Sequence, residues 1–143
     1  MTLVDSNIWV SLALSRHPFH DVAKQWLEKQ GKGEALFCRS TQQSFLRHIT
    51  NKVILAHYGI APLGNKAAWS VYEGFRADKR VAWADEPRDV DALWKKFSSD
   101  LRPSTKLWTD AYLAAFAVTG GYRFVTADQG FKQFKNLDLV LIQ

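Results

Sequence analysis

A single cysteine, Cys38, among 143 residues excludes an internal disulfide and any zinc site built from several thiolates. Its setting in Ala35-Leu36-Phe37-Cys38 reads as that of a small buried hydrophobe. Long apolar runs are missing too, since none approaches the ~18 residues that a membrane-spanning helix needs. The amino terminus has neither the basic-then-apolar order nor the small-residue cleavage site of a signal peptide, so a cytoplasmic protein with no membrane partner is expected. There is no Ser-His-Asp elbow, no phosphate-cradling glycine loop and no dinucleotide fingerprint, and those chemistries are left without support. Internal repeats, low-complexity tracts and blocks of like charge are absent as well.

At 47% hydrophobic, the chain can build one continuous core but not two of ordinary size, and residues 1–143 read as a single domain. A net charge of +5 and a pI near 9.4 favour an anionic partner, because Lys and Arg that neutralise phosphates release counterions. Those cations are scattered over the whole chain, a pattern that an ordinary solvated surface would also give.

Short apolar runs alternate with longer amphipathic segments, as in a parallel sheet covered by helices on both faces. The expected fold is α/β, a three-layer α/β/α sandwich around a mostly parallel sheet of about four to five strands. Strands are predicted at 2 to 5, 35 to 38, 81 to 84, 122 to 126 and 138 to 142. Phe19, Val22, Ala23, Trp26 and Leu27 recur at helical spacing, and Ser40 is placed to cap a helix carrying Phe45, Leu46 and Ile49. Further helices are predicted at about 64 to 77 and 88 to 99, and a last one from Ser104 or Thr105 to the Gly120-Gly121 stop.

Three aspartates stand out on this frame. Asp5 ends the first strand in Leu3-Val4-Asp5-Ser6-Asn7, Asp110 lies early in the last long helix, and Asp128 follows the strand that begins near Tyr122. In a parallel sheet, strand ends and helix starts share one edge, so acids distant in sequence can converge there. Carboxylates gathered without a cation repel one another and hold protons, and a divalent ion relieves that repulsion. Hard oxygen ligands suit Mg2+, or Mn2+, which keep several waters and leave room for a phosphate oxygen and an attacking water. Phosphodiester hydrolysis is the reaction such a site serves.

With Val4-Asp5-Ser6-Asn7, Thr41-Gln42-Gln43-Ser44-Phe45-Leu46-Arg47 with Thr50-Asn51 in the third helix, Thr109-Asp110-Ala111-Tyr112-Leu113-Ala114 and Val125-Thr126-Ala127-Asp128-Gln129-Gly130-Phe131 in order, the chain resembles the PIN-domain nucleases, and within them the VapC-type toxins of bacterial toxin-antitoxin pairs. The resemblance implies that Asp5, Asp110 and Asp128 are metal ligands, that Asn7 and Thr126 are polar helpers around them, and that the activity is metal-dependent endonucleolytic cleavage of RNA. It also implies a cognate VapB-like antitoxin covering a basic, aromatic-rich face, and a homodimer. One departure stands beside it: the family usually carries a glutamate where this chain has Gln42, whose amide can donate an oxygen but no charge.

Each residue taken alone has an uneventful reading. Asp5 could cap a helix, Asp110 could complement a helix dipole and Asp128 could initiate a turn. His17 and His20 flank Pro18 without a third ligand and read as surface residues. Arg47 could meet a scissile phosphate or make a surface ion pair, and Trp108 could stack on an RNA base or join the core. Trp69 and Tyr72 are placed to anchor an antitoxin or second subunit. Two other functions stay open: a Mg2+-dependent phosphatase, disfavoured because Asn7 stands where a second acid would be needed, and a catalytically weakened RNA- or antitoxin-binding module.

Overall fold

Leu3, Val4, Leu36, Phe37, Phe124 and Val125 are all buried, which is why these strands read as unbroken apolar runs rather than alternating ones. The computed structural model describes residues 1–143. Its strands are β1 (Thr2–Val4), β2 (Ala35–Phe37), β3 (Val81–Trp83), β4 (Arg123–Thr126) and β5 (Leu139–Leu141). Every pairing is parallel and the order across the sheet is β3-β2-β1-β4-β5. The reversal of direction lies between β1 and β4, the point where open α/β sheets form a crevice outside the carboxyl ends of their strands.

Successive strand residues feed opposite layers, as the pleat requires. Val4, Phe37 and Val125 pack with α1 (Ser6–Ala13), α2 (His20–Glu28), α3 (Arg39–Ile49), the short α4 (Lys52–His57) and α5 (Asn65–Ala77). Leu3, Leu36 and Phe124 pack on the other side with α6 (Val90–Ser98) and α7 (Leu107–Gly120). The expected three-layer sandwich is therefore present, with strand limits within a residue of the sequence reading. No helix is long and apolar enough to cross a membrane.

Several expectations need correction. Ser40 does not cap α3; Cys38 holds that position, and its N–H donates to the Thr41 hydroxyl at 3.0 Å, a side chain that reaches back as in a capping box. The third helix stops at Ile49, so Thr50 and Asn51 fall outside it; Asn51 caps α4 by accepting from the Val53 and Ile54 N–H groups. The last helix begins at Leu107 rather than Ser104 or Thr105, with Gly121 ending it at φ +70 as the paired glycines suggested. His17 and His20 are not a bare surface pair: the His17 Nδ1 lies 3.2 Å from the Ser11 hydroxyl and accepts from the Phe19 N–H, while the His20 Nδ1 bonds the Ser11 carbonyl. They fasten the turn between α1 and α2.

Candidate active site

Asp5 sits where β1 becomes α1, in the N-cap position, yet its side chain makes no capping bond. The carboxylate turns instead toward β4, where its Oδ2 accepts from the Thr126 hydroxyl at 2.6 Å. That hydroxyl is fully used, since it also accepts from Asn7 Nδ2 and from the Asp128 N–H, each at 3.0 Å. Asn7 Oδ1 accepts from the Ala127 N–H at 3.3 Å, so Asn7 and Thr126 together tie the start of α1 to the loop that follows β4. Asp5 is nearly inaccessible, at 7% exposure. Burial, with smaller contributions from the fields of Asp110 and Asp128, raises its pKa to about 6 against the opposing hydrogen bonds from Thr126 and Ser6.

Asp128 and Asp110 meet through a lysine. Lys106 Nζ donates to Asp128 Oδ2 at 2.6 Å and stands 3.7 Å from Asp110 Oδ2. The other Asp128 oxygen accepts from the Gly130 N–H at 2.8 Å, opening the 3-10 turn Gln129–Gln133. The Lys106 bond holds Asp128 below the ordinary carboxylate range, whereas desolvation, then the charge of Asp128, lifts Asp110 above it despite Lys106. Three acids from the ends of β1 and β4 and the first turn of α7 thus share one electrostatic neighbourhood at the switch point. Lys106 was missed in the sequence, although its spacing of four from Asp110 on one helix face was visible there.

The donor set is hard oxygen throughout, and two of the acids carry raised pKa values that a divalent cation would relieve, so the residues suit Mg2+ or Mn2+ in kind. In spacing they fit less closely than expected: no three acids, histidines or cysteines stand near enough to form a closed shell. Mg2+ binds through one or two carboxylates and keeps its waters, so a complete three-carboxylate shell is not what such an ion demands.

Residues 2–137 match the PIN domain, a span taking in four of the strands and every helix. The chain belongs to the PIN-domain family. It is 45% identical over 144 residues to ribonuclease VapC41 of Mycobacterium tuberculosis, covering 99% of both chains. Ribonuclease VapC44 of the same organism is 30% identical over 130 residues, covering 89% of this chain and 85% of that one. These relatives place it among the VapC-type members. In fold it is similar to Mycobacterium tuberculosis VapC20, a sarcin-ricin loop cleaving toxin, with TM-score 0.64 at 15% identity, covering 96% of this chain and 98% of that one. VapBC2 from Rickettsia felis, bound to a DNA fragment from its promoter, gives TM-score 0.63 at 12% identity, covering 99% of this chain and 98% of that one.

In this PIN domain the position of the usual glutamate is committed elsewhere. Gln42 is buried, and its Oε1 accepts from Arg39 Nη1 at 2.7 Å. Arg39 in turn lies over the Trp83 ring at 4.9 Å. The Gln42 oxygen expected near a metal or its water accepts from this guanidinium, which leaves it one further lone pair. Arg47 is exposed and reaches only the Ser44 hydroxyl, at 3.5 Å. Trp108 is 58% exposed at the rim, whereas Tyr72 is core, packed edge-on against Phe37, and only Trp69 of that pair faces outward.

Proposed function

We propose that this chain is a Mg2+- or Mn2+-dependent endoribonuclease, the toxin of a VapBC-type toxin-antitoxin pair, hydrolysing RNA phosphodiester bonds. The observation that carries the reading is the buried Asp5 carboxylate, turned away from its capping role and held by Thr126 into the field of Asp110 and Asp128. Asp5, Asp110 and Asp128 would hold the cation between them, one or two directly and the rest through its waters, and the bound ion would supply a lowered water pKa and neutralise charge on the phosphate. The other residues have positional roles. Thr126 fixes the rotation of the Asp5 carboxylate, and Asn7 fixes the backbone leading to Asp128. Lys106, 70% exposed, lies at the mouth of the site where a non-bridging phosphate oxygen can reach it.

The partners follow from the same reading. RNA is the substrate, a VapB-like antitoxin is the inhibitor, and self-association as a homodimer covers part of the apolar surface left outside the core. The exposed Trp69 and Val53 belong to that surface.

Incubation of the purified chain with mixed cellular RNA and Mg2+ or Mn2+, beside an EDTA control and Asp5→Asn, tests the activity. Internal cuts made by the parent alone are expected. Cuts that persist in EDTA or in Asp5→Asn would overturn the metal-dependent mechanism. RNA binding without cuts would favour a binding module, for which the Arg39–Gln42 pair is the structural precedent. Release of phosphate from a generic aryl phosphate would point to a phosphatase.

A further inference from the structure

A cavity of about 1000 Å³ opens beside the carboxylates, between α6 and the segment that leads into α7. It is separate from the smaller cavity of about 400 Å³ that Lys106, Asp110 and Gly130 line. The two adjoin along a common ridge that includes Arg102, Ser104 and Leu107. We propose that this larger cavity is a subsite for an unpaired nucleobase of the RNA chain, flanking the bond to be cut. The proposal rests on the nuclease reading above for the identity of the chain that enters it.

Aromatic walls are the first reason. Trp94 and Trp108 both line the cavity, and they are held differently. The Trp94 indole N–H donates to the Trp108 carbonyl at 2.9 Å, and its ring packs edge-on against Tyr112 at 5.5 Å, so it is a fixed wall. Trp108 is 58% exposed, and the adjacent Leu101 is fully so. Two large apolar side chains left in water at one mouth offer stacking area to a flat ligand, and every base has a π-face to give them.

Charge is the second reason. Lys95 and Arg102 on the lining are offset by Asp91 and Asp100, with Arg102 and Asp100 standing 3.8 Å apart on the shared ridge, so the walls are close to neutral, whereas Lys106 lies beyond the ridge on the side of the site. A phosphate or an acidic peptide would want its counter-charges inside the cavity. A nucleobase wants them outside, where the backbone passes from one cavity to the other. Bases of a duplex are stacked and cannot enter such a wall-lined recess, so single-stranded RNA is selected.

Fluorescence anisotropy of a labelled single-stranded RNA oligonucleotide in EDTA, which suppresses cleavage, tests the subsite. Trp108→Ala is expected to weaken binding about tenfold, within the range of one lost base–aromatic stack. Trp108→Phe should recover most of the affinity, Val22→Ala on the exposed face of α2 should leave it unchanged, and a duplex of the same sequence should bind weakly to all four proteins. Trp108 donates no side-chain hydrogen bond, and circular dichroism should show the variants folded. Equal affinity for the parent and Trp108→Ala, or no single-strand binding by the parent, overturns the subsite. So does a dimer that Trp108→Ala dissociates with RNA affinity unchanged, since the face would then serve self-association. Cleavage that proceeds alike in Trp108→Ala and the parent removes the subsite and leaves the nuclease standing; Trp108-dependent binding with no cleavage in Mg2+ does the reverse.

Discussion

Asp5 decides how the site responds to pH. In the folded chain it keeps its proton to about pH 6, while an unfolded aspartate releases it near 3.8, so between those values the folded state binds more protons. Stability of the metal-free protein should therefore fall as pH rises through that window and stay reduced above it, by on the order of 1–3 kcal/mol. Asp5→Asn removes the charge while keeping an acceptor for Thr126, so its thermal midpoint should exceed that of the parent by several degrees at pH 7.5 and match it at pH 4. A midpoint unchanged at pH 7.5 would mean that the carboxylate is not penalised by its surroundings. Divalent cation binding has the opposite dependence, strengthening as Asp5 ionises through pH 6. Lys106 competes for the same oxygens. Its head group is largely solvated, so the competition is worth ~1 kcal/mol or less. Lys106→Gln should tighten Mn2+ binding several-fold in calorimetry, and a weakened affinity would show that the lysine supports the ion rather than displacing it.

At the scale of an element, the first turn of α3 explains how a PIN domain accommodates Gln42. Arg39 and Gln42 lie three apart on one face, so a glutamate at 42 would be met at hydrogen-bond range by the same guanidinium. Gln42→Glu alone should then raise Mn2+ affinity by less than about threefold, the new charge being neutralised where it forms. Combined with Arg39→Gln it should gain about tenfold, and equal gains from both proteins would show that Arg39 masks nothing. Elements of this kind were unequally legible in the sequence. Strands covered on both faces announce themselves as apolar runs, and Gly121 marks the end of α7 because few other residues accept its left-handed backbone. The six-residue α4 has too little periodicity to see, and nothing local reveals that Thr41 rather than Ser40 satisfies the start of α3. Tyr72 and Trp69 look alike in sequence; only the position of Phe37 decides which one is buried. Asp5, Asp110 and Asp128 were readable from strand and helix ends, but the Lys106–Asp128 contact spans 22 residues and depends on the loop after β4, beyond any local pattern.

Across the whole molecule, the order β3-β2-β1-β4-β5 brings Asp5 and Asp128 to neighbouring strand ends and leaves the α6–α7 layer to carry whatever flanks them. Nineteen Lys and Arg residues scattered along the whole chain, with no tail or block, are not arranged to meet one RNA strand together, so the net charge of +5 should govern encounter while few cations make contact. Arg102 and Lys106 are the cations on the ridge and in the smaller cavity beyond it, where the backbone would pass. About two neutralised phosphates give a slope near −1.4 when log affinity for a single strand is plotted against log salt concentration. Arg102 is 89% exposed and can be replaced without loss of core packing. Arg102→Gln should weaken binding alike for every sequence and flatten the slope by about 0.7, the increment of one phosphate contact. A slope far steeper than about −1.4 would spread the RNA over faces remote from the carboxylates, and an unchanged slope in Arg102→Gln would take the strand off the ridge between the cavities.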